Sequence, residues 1–126
     1  MPKKVVSTPD APAAVGAYSQ AIVAGGFVFC SGQVPLDPTS GELVGGSIAD
    51  QTRRCLENLS AVLKAAGAGL DDVVKVTAFL LDMGDFPEFN EAYGEFFGDE
   101  PPARATVAVA GLPKGAQVEI ECIAQV

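Results

Sequence analysis

Arg104 stands at the mouth of an apolar strand, in the stretch PPARATVAV that spans residues 101–109. A guanidinium can bind a carboxylate through two parallel charge-assisted bonds, which fixes orientation as well as charge. Arg104 is therefore read either as the grip for a small acid or as half of a surface pair with Glu100. Glu119 lies in QVEIECIAQ, residues 117–125. It is either a solvent-side carboxylate or a group that orients and deprotonates a water. Tyr18, in GAYSQA, can pack in a loop or donate to a ligand oxygen. Ser31 and Gly32, in CSGQ, are either turn residues or a place where a ligand approaches backbone amides. Asn90 sits on a helix beside aromatic residues, where an exposed amide is also ordinary.

The rest of the composition narrows the chemistry. There is no histidine in the chain. Ser-His and Cys-His nucleophile pairs and imidazole acid–base catalysis are excluded. The three cysteines, Cys30, Cys55 and Cys122, form no CxxC pair, so common zinc patterns are missing. An odd cysteine count suggests free thiols in a reducing compartment. Any catalysis would use carboxylates, Tyr, Lys, Arg, backbone and water, with no metal. The net charge of −8 opposes a polyanionic partner, and no run of Lys or Arg exceeds two residues. No GxGxxG or Walker pattern offers a phosphate cradle. No apolar run is long enough to cross a bilayer, and the start, MPKKVVSTPDAPAA, has no apolar core of a signal peptide. A cytoplasmic protein is expected, with neither nucleic acid nor membrane as partner.

The elements that would hold these residues follow from periodicity. The 126 residues fit one domain, residues 1–126. Lys3 to Ser7 reads as a short strand. Two apolar runs about Gly25-Gly26 read as a hairpin. Ser47 to Ala66 is the clearest helix, with Ile48, Cys55, Leu59, Val62 and Ala66 on one stripe. Ser47 suits its N-cap and Gly67 its C′ position. Residues 72–82 read as a buried strand. Asp85 to Phe97 reads as a second helix, opened by a capping box of Asp85 and Glu88. Residues 103–109 and 117–125 read as strands. In the last one Val118, Ile120, Cys122 and Ala124 alternate with Glu119, Glu121 and Ile123. The short connection AGLPKGAQ suggests that these two strands pair antiparallel, with Arg104 beside Glu119. The order predicts an α+β fold: a mixed sheet with two helices packed on one face. The far face is apolar enough to expect an oligomer to cover it.

Six stretches in order resemble the reactive intermediate deaminase (Rid/YjgF) family, of the RidA-like kind. They are APAAVGAYSQAI, FCSGQVPLDPTSGELVGG, QTRRCLENLSAVLKAAG, DVVKVTAFLLDMGDFPEFNEAYGEFF, PPARATVAV and LPKGAQVEIECIA. The resemblance implies a chorismate-mutase-like fold and a homotrimer with sites between subunits. It implies hydrolytic deamination of 2-imino or enamine acids, such as 2-iminobutanoate or 2-iminopropanoate, to 2-oxo acids and ammonia, without a cofactor. By the same resemblance Arg104 grips the substrate carboxylate, Glu119 serves the attacking water and Tyr18 completes the catalytic set. Ser31, Gly32, Asn90 and Thr106 are implied as substrate-binding. The chain departs from the family pattern at Ala17, where proline is frequent, and at Thr106, where cysteine is frequent. A small-acid-binding or stress-protective module without catalysis is the alternative, and an endoribonuclease is a further one.

Overall fold

The computed structural model describes residues 2–126; Met1, the first residue of the expected domain, lies outside them. Six strands form one mixed sheet in the order β1-β2-β3-β6-β4-β5. They are β1 (Lys4–Val6), β2 (Ala21–Ala24), β3 (Phe27–Gln33), β4 (Val73–Leu80), β5 (Ala103–Ala108) and β6 (Val118–Gln125). Helix α1 (Ile48–Ala65) joins β3 to β4, and α2 (Phe86–Gly94) joins β4 to β5. The β2–β3 hairpin turns at Gly25 and Gly26, whose φ values of 59° and 83° suit glycine and match the twist of paired strands.

Helix α1 forms where the apolar stripe predicts. Ser47 accepts from the Asp50 amide, and the Asp50 carboxylate accepts from the Ser47 amide, so a capping box closes its first turn. Leu56, Leu59, Val62 and Leu63 are buried against the sheet. The sheet answers with Val28, Val76, Leu80, Val118 and Ile120, and α2 adds Phe89. The α2 start differs from expectation. Asp85 makes no side-chain cap. Glu88 instead reaches across to α1, where its carboxylate accepts from the Ala49 amide at 3.1 Å. A negative group at the α1 N-terminus suits the free amides and the helix dipole. Helix α2 also stops at Gly94, short of Phe97.

The position of the last strand corrects the sequence reading. β5 and β6 do not pair. β5 runs parallel to β4 at the sheet edge, with Arg104 opposite Val76 and Thr106 opposite Ala78. β6 inserts between β3 and β4, antiparallel to both. Burial explains the choice. Val118, Ile120, Cys122 and Ala124 are all buried, so β6 gains most in the centre beneath α1. β5 carries small residues, follows Pro101-Pro102 and has no fully buried position. Such a strand suits an edge.

Candidate active site

Alternation along the paired strands decides which residues can meet. Val76 and Ala78 are buried beneath the helices, and their partners Arg104 and Thr106 share that face. Glu119 pairs with Phe79 and Glu121 with Thr77, on the opposite, open face. Within one chain the sheet stands between the guanidinium and the Glu119 carboxylate. The expected Arg104–Glu119 neighbourhood is therefore absent from a single copy.

Arg104 is half-buried, and it forms no ion pair with Glu100 or any other acid among the described residues. Its guanidinium carbon lies 4.7 Å from the Tyr93 ring centroid, 5.4 Å from Phe86 and 5.6 Å from Phe89. The faces of these rings carry negative potential that attracts a cation without consuming its N–H donors. Arg53 shows the other use of the same side chain. It donates to both Glu95 carboxylate oxygens, at 3.0 and 2.9 Å, on an exposed surface. No acid among the described residues takes up the Arg104 fork. Arg104 opens onto a cavity of about 460 Å³ lined by Asn90, Tyr93, Gly94, Phe97, Pro101 and Pro102. Asn90 and Arg104 thus border the same cavity. Thr106 does not line this cavity, though its buried hydroxyl has no hydrogen-bond partner.

Tyr18, Ser31, Gly32 and Glu119 meet in a second cavity, of about 430 Å³, together with Lys114 and Glu121. Its floor is a β-bulge: the β3–β6 register shifts between Cys30 and Gln33, so Ser31 and Gly32 fall at the irregularity. A side chain at position 32 would collide with the Glu119 carboxylate. Glycine there is what lets the carboxylate lie against the strand. The Ser31 hydroxyl donates to the Ser19 carbonyl at 2.6 Å, and the Ser31 amide donates to the Gln20 carbonyl at 3.0 Å. Ser31 therefore spends its proton on holding the Tyr18 loop and keeps only acceptor capacity for a ligand. Tyr18 itself is 51% exposed.

Buried amides brace both walls. The Gln20 side chain donates to the Pro12 carbonyl at 2.8 Å and accepts from the Thr8 amide at 2.7 Å, pinning the N-terminal loop. From α1, Asn58 donates to the Val34 and Leu36 carbonyls at 3.3 and 3.0 Å. Gln51 and Gln117 exchange bonds of 3.1 and 3.2 Å just before β6 begins. Sequence reasoning missed these residues. Gln51 and Asn58 are polar residues on the buried side of α1, and that was the available signal.

Electrostatics separates the two cavities further. Burial raises the Glu119 pKa above the ordinary carboxylate value, and the nearby Glu121 charge adds to the rise. Burial also raises the Tyr93 pKa, against a downward pull from Arg104. Among the described residues no three His, Cys, Asp or Glu side chains gather closely enough to hold a metal ion. No helix among them is long and apolar enough to cross a membrane.

Comparison with known proteins agrees with this architecture. Residues 8–126 match the family described as Endoribonuclease L-PSP. A rat protein named 2-iminobutanoate/2-iminopropanoate deaminase is 49% identical over 122 residues, covering 97% of this chain and 89% of its own. The structure of YyfA, a conserved Rid family protein of Yersinia pestis, superimposes with a TM-score of 0.96 at 47% identity, covering 99% of this chain and 100% of its own. E. coli TdcF, solved with bound serine, gives a TM-score of 0.93 at 42% identity and covers 98% of each chain. With a family match over residues 8–126, identities near one half over nearly the full length and a TM-score of 0.96, the chain belongs to the Rid/YjgF (L-PSP) family.

Proposed function

We propose that the chain hydrolyses small 2-imino or enamine acids, such as 2-iminobutanoate and 2-iminopropanoate, to 2-oxo acids and ammonia in the cytoplasm. The observation that carries this reading is the half-buried Arg104 guanidinium, held on aromatic faces beside a cavity with no acid spending its donors. A small carboxylate is the complementary ligand. The name of the rat relative and the serine bound to TdcF, itself a small 2-amino acid, support the same substrate class.

The site is composite. Arg104 of one copy and Glu119 of another face a shared cleft in a homotrimer. Phe29 and Val107, 45% and 43% exposed on the open face, supply apolar surface for the copies to cover. In the cleft Arg104 binds the carboxylate, with Asn90 and the Thr106 segment beside it. Tyr18, Ser31 and the Gly32 backbone border the reacting end. A protonated imine is already electrophilic, so water needs placement more than activation. Glu119 orients the water and accepts a proton as oxygen bonds to the C=N carbon. Glu119 returns that proton to the carbinolamine nitrogen and takes up the hydroxyl proton as the C–N bond breaks, which releases the 2-oxo acid and ammonia. Positioning and general-base help together supply several orders of magnitude. No metal or organic cofactor enters this scheme.

Arg104→Ala tests it. Iminopropanoate generated in the assay and competed with semicarbazide reports hydrolysis directly. A loss of about a hundredfold or more in kcat/KM is expected, because truncating one partner of a charge-assisted pair removes several kcal/mol of binding. Unchanged rates overturn the role of Arg104. Ligand binding without turnover in the unmodified protein favours a binding module. The family's description also names ribonuclease activity. The net charge of −8 and the lack of histidine weigh against it. RNA cleavage that survives repeated purification and disappears in Arg104→Ala would establish it.

A further inference from the structure

This inference rests on Arg104 as the carboxylate grip and concerns what holds it. A guanidinium has five N–H donors, and a bidentate carboxylate uses two of them. The others need acceptors, or faces that tolerate them. Arg104 has no hydrogen-bonding acid among the described residues. Of the rings around it, Tyr93 is the nearest, at 4.7 Å, and the only one with a polar atom. Tyr93 is 5% exposed, and its hydroxyl is buried without a hydrogen-bond partner. Only two buried side-chain polar atoms among the described residues lack a partner, and the other belongs to Thr106, two residues along the strand from Arg104. Orphaned buried hydroxyls are costly and rare, so one on the ring nearest a cation calls for an explanation. Phenylalanine would pack at position 93 without that cost. The ring also packs among other aromatics. Phe89 and Phe97 lie 5.5 and 4.7 Å from it, centroid to centroid.

We propose that Tyr93 is a positioning residue for Arg104. Its ring supports the guanidinium plane, and its hydroxyl accepts an N–H that a bound carboxylate leaves free. The occupied site then satisfies a hydroxyl that the empty chain leaves orphaned. The guanidinium presents one defined edge to the ligand instead of swinging across the cavity.

Tyr93→Phe isolates the hydroxyl and Tyr93→Leu removes the ring as well. The probes are 2-iminopropanoate turnover and calorimetric binding of pyruvate, the corresponding 2-oxo acid. For Tyr93→Phe, KM and the pyruvate Kd should rise together, by about three- to tenfold, as expected for losing one hydrogen bond of ordinary net strength. The kcat should stay within about twofold, and the melting temperature should hold or increase, because an orphaned hydroxyl has been removed. Tyr93→Leu should weaken both constants further, since the cation–π face is lost too. Lower melting temperature with unchanged KM and Kd in Tyr93→Phe would mean a purely structural residue and would overturn the proposal. So would wild-type constants in every respect. Arg104→Ala is measured alongside. If it too binds and turns over normally, the carboxylate-grip reading has failed. If it is inactive while Tyr93→Phe is normal, only the role of Tyr93 falls. Should Tyr93→Leu fail to fold, the Tyr93→Phe measurements decide alone.

Discussion

The two cavities face opposite sides of one sheet and are built from opposite materials. On the helix side Arg104 rests on Phe86, Phe89 and Tyr93, a cation among rings with its donors free. On the open side Glu119 lies against a glycine bulge with a second acid, Glu121, beside it. The first arrangement is made to hold a charge without reacting with it. The second raises the affinity of a carboxylate for a proton. Within one copy the sheet stands between the two groups. On the proposed reading, a reaction that needs a grip and a base together draws on two copies of the chain, each lending one face.

The strongest way to break this division is to separate the two halves genetically. Arg104→Ala and Glu119→Gln chains should each be nearly inactive alone. Co-assembled at equal ratio, they should regain about a quarter of the per-site activity, because random mixing places an intact Arg104 face against an intact Glu119 face that often in a cyclic oligomer. No recovery at any mixing ratio would mean that both groups act from one copy, or that one of them does not act. Taken alone, Glu119→Gln should lower kcat by about a hundred- to a thousandfold, the range of a lost general base, and should change pyruvate binding much less. Equal losses in both would remove the water role from Glu119 and make it another binding group.

Gly32→Ala sharpens the comparison on the open side. The added methyl would meet the Glu119 carboxylate, the far end of a flexible side chain. The carboxylate can swing away, so stability should fall by less than about 1 kcal/mol. Its displacement should still cost about ten- to a hundredfold in kcat, since small misplacements of a catalytic group are expensive. Retained kcat with a wild-type melting temperature would show that the bulge does not set the carboxylate.

These geometries were only partly legible from the chain. The stripe from Ile48 to Leu63, with Ser47 before it and Gly67 after it, defined α1 because capping and periodicity are local. The alternation in β6 correctly separated Val118 and Ile120 from Glu119 and Glu121 for the same reason. Alternation reports which face a residue takes, but not which strand lies next to it. The short β5–β6 connection suggested a hairpin, whereas burial of β6 beneath α1 outweighed chain proximity. The role of Glu88 was misplaced similarly. Its partner is 39 residues away, on a helix that only tertiary packing brings close. Phe86, Phe89 and Tyr93 recur at helical spacing and form the apolar face of α2. That this face lies over Arg104 depends on α2 packing across the sheet edge, and no local pattern encodes it.

The smallest effect expected is a shift along the pH axis. Burial is the larger cause of the raised Glu119 pKa and the Glu121 charge is the smaller one. If Glu119 acts as a base, kcat/KM should fall on the acid side as Glu119 takes up a proton, with the midpoint above the ordinary Glu value of about 4.3. Glu121→Gln removes the like charge, so the Glu119 pKa must drop and the acid limb must move to lower pH. Burial persists in this variant, so the limb should not fall below the ordinary value. Folding stability carries the same sign. A carboxyl whose folded pKa is raised binds protons more readily than the unfolded chain does. Its contribution is most favourable below the unfolded pKa and is lost as pH rises through the folded one. Glu121→Gln should therefore recover some stability above that window. A pH profile alone could reflect ionisation of the imine, but the substrate does not know which residue occupies position 121. An acid limb that stays in place in Glu121→Gln and survives in Glu119→Gln would assign the titration to the substrate, and the open face would lose its claim to the proton.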